Sequence, residues 1–144
     1  MKCLTFSTVC AVLIAASAHA QESAQERFMT NWDLDGNGAI TLAEVMEMRE
    51  NIFYSFDSNA DGAIDGAEYD MFDEARANDM SSVRKSDKLK MKSIAGGLAR
   101  ATTDVDGDGQ VTRAEFMDTA EPWHKKLDRN GDGKVTSADF ALSD

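Results

Sequence analysis

Large hydrophobic residues recur on both sides of four acid-rich, glycine-containing segments of this chain. One large hydrophobic residue directly follows each segment. Three of the segments are also preceded by two large hydrophobic residues at helical spacing. The pattern predicts helices that enter and leave polar loops, with the hydrophobic side chains in the core. The third segment is preceded only by Ala99, Arg100 and Thr103. This predicts that its entering helix is weakly anchored and that, without metal, this helix–loop–helix unit is the least ordered of the four. The predicted core positions are Phe28, Trp32, Val45, Phe53, Phe56, Tyr69, Phe116, Trp123, Leu127 and Phe140.

The four segments share one twelve-residue spacing. They read DLDGNGAITLAE (33–44, loop one), DSNADGAIDGAE (57–68, loop two), DVDGDGQVTRAE (104–115, loop three) and DRNGDGKVTSAD (128–139, loop four). Each has side-chain oxygens at positions 1, 3 and 5, Gly at 6, Ile or Val at 8, an oxygen-bearing residue at 9 and an acid at 12. This is the spacing of a calcium-binding loop. Four occurrences with correctly placed glycines exclude coincidence.

The spacing follows from calcium chemistry. Ca²⁺ takes about 6–8 oxygen ligands without a fixed angular demand. Short side chains supply positions 1, 3 and 5, a backbone carbonyl supplies position 7, and position 9 often acts through water. The acid at position 12 closes the sphere with both oxygens. The candidate ligands are Asp33, Asp35, Asn37, Ala39, Thr41, Glu44, Asp57, Asn59, Asp61, Ala63, Asp65, Glu68, Asp104, Asp106, Asp108, Gln110, Thr112, Glu115, Asp128, Asn130, Asp132, Lys134, Thr136 and Asp139.

The ends of the loops also carry helix-start signals. Thr41 with Glu44, and Thr112 with Glu115, have the spacing of capping boxes. Asp65 with Glu68 and Thr136 with Asp139 are looser versions. Loop four closes with aspartate, which is one methylene shorter than glutamate. We therefore expect its site to bind Ca²⁺ more weakly or to tolerate Mg²⁺.

The chain contains an internal duplication. Shifting residues 33–68 by 71 positions aligns them with 104–139, and 14 of the 36 positions are identical. Only 12 residues separate the two loops of a repeat, and a continuous helix from Leu42 to Phe56 would span about 22 Å. Such a helix would hold the two loops apart. Either the loops pair across repeats, or the connecting helix bends, which Pro122 favours in the second repeat and its counterpart Asn51 favours only weakly.

These loops resemble those of four-loop, calmodulin-like calcium-binding proteins of the EF-hand superfamily. The resemblance implies an all-α fold of tandem EF-hand helix–loop–helix pairs, with short β-bridges between loops. It also implies up to four Ca²⁺ ions, with Mg²⁺ as an alternative at Asp128–Asp139. The 24-residue interval between loop starts is shorter than in calmodulin-like lobes.

The first twenty residues have the features of an export signal. Lys2 precedes a short apolar run, and Ala18-His19-Ala20 is typical of a cleavage site. The expected organisation is a signal peptide at 1–20, a first EF-hand pair at 21–78, a basic linker at 79–97 and a second pair at 98–144. Both cysteines, Cys3 and Cys10, lie in the signal, so the mature chain would have no disulfide. The expected location is the periplasm or the exterior, with no transmembrane segment in the mature chain.

Charge limits the possible partners. The formal net charge is −11 at pH 7, which disfavours nucleic-acid binding. The 79–97 segment is the exception, with Arg84, Lys85, Lys88, Lys90 and Lys92 interleaved with apolar residues. It is either a solvated linker or an amphipathic target for an acidic lobe or an anionic surface.

The sequence predicts a non-catalytic protein in which calcium stabilises the fold or is stored. The alternative is a calcium sensor that exposes a methionine-rich surface and regulates an envelope or secreted protein partner of unknown identity. No catalytic residue is predicted, because the loop acids are assigned to metal and His124 is the one histidine after the signal. A lone histidine on an entering helix is more often structural.

Overall fold

The computed structural model describes residues 23–81 and 88–141. The predicted all-α class is confirmed: those residues form eight helices and four two-residue strands. The elements in chain order are α1 Ala24–Trp32, β1 Ala39–Ile40, α2 Leu42–Phe56, β2 Ala63–Ile64, α3 Gly66–Ser81, α4 Lys88–Gly96, α5 Arg100–Thr103, β3 Val111–Thr112, α6 Arg113–Asp118, α7 Ala120–Leu127, β4 Val135–Thr136 and α8 Ser137–Ala141. The predicted signal at 1–20 lies outside the described residues. None of the described helices is long and apolar enough to cross a bilayer.

Side-chain caps start several of these helices. Both predicted capping boxes are confirmed: Thr41 with Glu44 starts α2, and Thr112 with Glu115 starts α6. A third box, Ser23 with Glu26, starts α1 and was not predicted, although its Ser-x-x-Glu spacing is the same signal. Each box provides partners for backbone N–H groups that the first helical turn leaves unpaired.

The short strands pair across the two repeats. β1 is antiparallel to β4, with Ile40 opposite Val135, and β2 is antiparallel to β3, with Ile64 opposite Val111. All four of these side chains are fully buried. Loop one therefore lies beside loop four, and loop two lies beside loop three. Pairing across repeats, the first of the two alternatives left open by the sequence, is therefore observed.

The connecting helices of the two repeats differ. In the first repeat α2 runs unbroken for 15 residues, and Asn51 does not interrupt it. In the second repeat the helix breaks at Thr119, three residues before Pro122, as the proline predicted. Pro122 then lies in the first turn of α7, where its missing N–H leaves no helical bond unmade. Bending and pairing across repeats thus occur together.

The core is shared by both repeats. The ring centres of Trp32 and Trp123 are 4.8 Å apart, and those of Phe53 and Phe116 are 5.9 Å apart. Of the ten predicted core residues, nine are buried and Phe56 is partly buried against them. The segments 21–78 and 98–144 each contain one sequence repeat. The loops that lie side by side in space, however, come one from each repeat.

Arg49 lies fully buried in the middle of this core. Its Nη1 donates to the backbone oxygen of Phe116 and to Oγ1 of Thr119, and its Nη2 donates to the backbone oxygen of Gly97 at 2.7 Å. The guanidinium carbon is 5.1 Å from the ring centres of both Phe116 and Trp123. Burial lowers the pKa of Arg49 to about 10. One cation thereby joins α2 to the break after α6 and to the turn after α4.

Packing modifies two expectations from the sequence. The helix entering loop three was expected to be weakly anchored; it is a single turn, but its Thr103 and the nearby Leu98 are buried. In α4, Met91 and Ile94 are buried, so this part of the predicted basic linker packs on the core, while the predicted cations Arg84 and Lys85 lie outside the described residues. Of the methionines on the helices that leave loops one and two, Met48 packs on the core, while Met46 and Met71 are exposed.

Candidate metal centre

The first half of each loop is a set of turns closed by carboxylates. In loop one, Oδ2 of Asp33 accepts the N–H of Gly38 at 2.7 Å, and Oδ1 accepts that of Asn37 at 3.1 Å. Oδ1 of Asp35 also accepts the Asn37 N–H, and Oδ1 of Asn37 accepts that of Ala39. The side chains at positions 1, 3 and 5 are therefore fixed against the backbone of their own loop.

The acid at position 12 reaches back to the start of its loop. Oε1 of Glu44 accepts the N–H of Leu34 at 2.9 Å and that of Asp35 at 3.3 Å, while Oε2 accepts the N–H and hydroxyl of Thr41. Burial alone would raise the pKa of Glu44, but these hydrogen bonds outweigh it and hold the pKa below 4.5. The carboxylate is therefore kept in the charged form that a metal ligand needs.

Loops two and three repeat this arrangement. Oε1 of Glu68 accepts the N–H groups of Ser58 and Asn59. Glu115 does the same with Val105 and Asp106. The backbone N–H of Asp65 lowers the pKa of Glu68, and the hydroxyl of Thr112 lowers that of Glu115.

Two groups of carboxylates converge closely enough to share one cation. Asp33, Asp35 and Glu44 each place an oxygen within 4.8 Å of the others in loop one. Asp104, Asp106 and Asp108 do so in loop three. Loops two and four carry Asn59 and Asn130 at position 3, so an amide oxygen replaces one carboxylate there. A hard cation with flexible geometry matches this set of oxygens.

The residues predicted at positions 7 and 9 lie at the strands and helix caps. Ala39 and Ala63 begin β1 and β2, and their side chains take no part in the loop, as a backbone ligand requires. Gln110 and Lys134 directly precede β3 and β4. At position 9 the hydroxyls of Thr41, Thr112 and Thr136 contact the acid at position 12, and Oδ1 of Asp65 accepts the N–H of Glu68. The assignment of all 24 residues as ligands stays a prediction.

Loop four closes with the shorter acid and still makes the same contacts. Oδ1 of Asp139 accepts the N–H groups of Arg129 and Asn130 at 3.0 and 3.2 Å, and Oδ2 accepts that of Thr136 at 2.7 Å. The helix α8 begins at loop position 10, as α2 does. Asp139 is fully buried.

Position 4 of loop two holds a residue that the sequence analysis missed. Ala60 has φ +58°, in the left-handed region that favours glycine. The equivalent residues of the other loops are Gly36, Gly107 and Gly131, with φ between +71° and +75°. Aligning the four loops with one another would have revealed it.

His124 has a structural contact and is buried. Its Nε2 lies 3.1 Å from the backbone oxygen of Ile40, at the end of β1. The contact joins α7 to loop one and agrees with the structural role predicted for a lone histidine.

A family model described as EF hand matches three segments of the chain, residues 48–73, 103–118 and 125–141. These segments contain loops two, three and four, and the fold around them has the helix–loop–helix form with paired strands. A search of curated proteins found no match. The matches support placing the chain in the EF-hand superfamily and imply calcium binding. Loop one lies outside the matched segments, although its acids converge in the same way.

Proposed function

We propose that this is a non-catalytic calcium-binding protein of the periplasm or the exterior, in which up to four Ca²⁺ ions stabilise the fold or are stored. The convergence of acidic oxygens in loops one and three carries the proposal. Because each loop pairs with a loop of the other repeat, metal in one repeat stabilises the other. Ions that bind only the folded chain stabilise it by mass action.

Charge supports a stabilising role for the metal. The chain has a formal net charge of −11, and the acids are concentrated in the loops. Like charges brought close together repel and destabilise the folded state. Four divalent ions would offset eight negative charges where repulsion is greatest. Extracellular calcium modules work with Kd values of about 10⁻⁴–10⁻³ M, so such sites would be mostly filled outside the cell.

Calorimetric titration with Ca²⁺, with and without millimolar Mg²⁺, tests the proposal when circular dichroism is recorded on the same samples. We expect binding in the weak range, with helix forming as the sites fill. The metal-site variant carries amides at all four position-12 acids, and the control removes four exposed acids outside the loops. The substitutions are E44Q/E68Q/E115Q/D139N and, in the control, E47Q/E74Q/D118N/E121Q. Absence of Ca²⁺ binding by the unaltered chain, or its retention by the metal-site variant, would overturn the proposal.

Export is the second part of the proposal. Lys2, the apolar run and Ala18-His19-Ala20 support a cleaved signal. Expression of the full chain in a bacterium, followed by fractionation and N-terminal sequencing, tests it. We expect the periplasmic or secreted form to begin at Gln21. A cytoplasmic, uncleaved product would contradict this part and leave the calcium proposal standing.

A sensor role is the second candidate, and the exposed methionines favour it. Met46 is 37% exposed and Met71 is 54% exposed. Flexible methionine side chains on a surface adapt to varied partners. A dye that binds exposed apolar surface separates the two roles. A rise in dye fluorescence on adding Ca²⁺ favours the sensor, and a fall favours the stabilised module.

A further inference from the structure

An open cleft of about 670 Å³ lies between α4 and α7. Its lining consists of two glycines, two threonines, two lysines, Pro122 and Trp123. Clefts of about 300–1,000 Å³ are large enough to hold a drug-sized ligand or a short peptide segment. No loop acid lines this cleft, so it is separate from the candidate metal centre.

The charged residues that line the cleft have one sign. They are Lys92 and Lys126, both exposed, and no carboxylate lines the cleft with them. Neither lysine forms a salt bridge with any acid in the described part of the chain. Lys125, next to Lys126, differs because it pairs with Glu121 at 2.7 Å. In a chain of net charge −11, an acid-free cleft with two unpaired ammonium groups is a local reversal of charge.

A third cation lies directly behind the cleft. The buried Arg49 donates to the backbone oxygen of Gly97 and to the hydroxyl of Thr119, and both of these residues line the cleft. No acid within 23–81 and 88–141 pairs with it, and its Nε has no hydrogen-bond partner there. A charge in a low-dielectric interior is weakly screened, so its field reaches the cleft.

Both hydroxyls that line the cleft are already hydrogen-bonded. Oγ1 of Thr102 donates to the backbone oxygen of Gly96 at 2.8 Å, and Oγ1 of Thr119 accepts from Arg49. The N–H of Gly97 donates to Ile94. An incoming ligand therefore meets two ammonium groups beside the exposed ring of Pro122, a surface that favours negative charge attached to an extended chain.

We propose that this cleft binds a carboxylate-rich peptide segment of a partner protein. Lys92 and Lys126 would pair with its side-chain carboxylates, while the exposed ring of Pro122 provides an apolar contact. Two lysines on an open cleft suit an extended peptide, which can contact both of them and Pro122, better than a compact ion. Calcium loading would strengthen binding because it reduces the overall negative charge that repels such a peptide. The expected effect of calcium rests on the proposed calcium function, but the proposal that the cleft binds a peptide does not.

The test is a titration of the ¹⁵N-labelled full chain with a hexaglutamate peptide, followed by ¹H–¹⁵N NMR, with saturating Ca²⁺ and again without it. We expect shifts to concentrate on the amides of Gly96, Gly97 and Lys126. The variant K92E/K126E should bind about tenfold more weakly, because repulsion replaces two exposed charge pairs. K125E changes the adjacent exposed lysine outside the cleft and should bind within about twofold of the unaltered chain.

The outcomes separate the cleft from the metal sites. Loss of binding in K92E/K126E and its retention in K125E support the cleft, whether or not Ca²⁺ enhances it. Equal weakening in both variants would show a diffuse charge effect and overturn the proposal. Absence of binding in both conditions, or shifts outside the cleft, would also overturn it. Competition by inorganic phosphate at concentrations equal to those of the peptide carboxylates would overturn the choice of a peptide.

Discussion

Gly97 lies directly against the indole of Trp123. A Cβ placed on Gly97 would come within 1.9 Å of Cδ1 of Trp123, closer than any real carbon contact. The indole in turn packs on Trp32 and under the guanidinium of Arg49. The turn after α4, the start of α7 and the middle of α2 therefore meet at one point with no spare volume.

Replacing Gly97 with alanine should destabilise the protein by about 1–3 kcal/mol, since the added methyl forces Trp123 to move. Gly96→Ala is the matched control, because a Cβ on Gly96 meets nothing within 4 Å. Gly96 ends α4, where alanine is the better helix former, so that variant should be neutral or slightly stabilised. Urea denaturation of both variants in saturating Ca²⁺ is the measurement. Equal midpoints for the two variants would contradict the packing described.

Metal affinity should be coupled across repeats rather than within them. Glu115→Gln weakens loop three, and we expect loop two, its strand partner, to lose affinity about fivefold or more. Loop four, its neighbour in sequence, should change less. The amides of Gly62 and Gly133 report the two loops separately in an NMR titration. A larger loss at loop four than at loop two would refute the coupling.

Ala60→Gly should stabilise the protein by about 0.5–1 kcal/mol. The left-handed conformation of Ala60 costs about 1–2 kcal/mol, and glycine removes that cost while losing some backbone entropy on folding. Ala75→Gly, at an exposed position of α3, is the control and should destabilise by about 1 kcal/mol. Thermal unfolding in Ca²⁺ measures both. A decrease in melting temperature for Ala60→Gly would contradict the assignment.

Asp139→Glu should raise the preference of loop four for Ca²⁺ over Mg²⁺. A longer side chain reaches the metal with both oxygens more easily, which suits the larger coordination sphere of Ca²⁺. Because Asp139 is fully buried, the variant must also let α8 move away from the loop. Calorimetric competition between the two ions tests this, with Glu115→Asp as the converse change. The hypothesis is wrong if the ion preference of loop four stays unchanged.

Acid should destabilise the metal-free protein through its position-12 glutamates. The backbone N–H of Asp65 and the hydroxyl of Ser58 lower the pKa of Glu68 below 4.5 in the folded state. The unfolded chain therefore binds the proton more tightly, so this stabilisation is complete above pH 4.5 and is lost as pH falls through the lowered value. Glu68→Gln should flatten the dependence of stability on pH below 4.5. An unchanged slope in urea denaturation at pH 3–5 would argue against it.

Local signals were readable from the sequence, and long-range ones were not. The capping box of Thr41 with Glu44 follows from spacing, so it was predicted, whereas whether α2 bends was left open. Which loop lies beside which depends on tertiary packing, and a repeated motif has the same local pattern in either arrangement. The loop spacing left two options, pairing across repeats or a bent connecting helix. The break at Thr119 shows that the break favoured by Pro122 was also correct.

Arg49 shows where residue type misleads. An arginine in an amphipathic helix is normally exposed, since burying its charge is costly. Here the carbonyls of Phe116 and Gly97 and the rings on either side replace water, and those groups come together only in the folded chain. The exposure of Met46 was equally unpredictable from the sequence. A methionine fits a core or a surface, so the hydrophobic pattern of the helix is the same in either case.

The strand pairing has the symmetry of a two-chain assembly. Exchanging the two repeats turns the β1–β4 pair into the β3–β2 pair, so the pairing scheme is unchanged. A homodimer of a single repeat would have the same pairing scheme. The two repeats of one chain need not be identical: the counterpart of Arg49 is Ala120, which is also fully buried. A homodimer would carry the same residue at both positions, so a core with one arginine requires the two repeats to be joined in one chain.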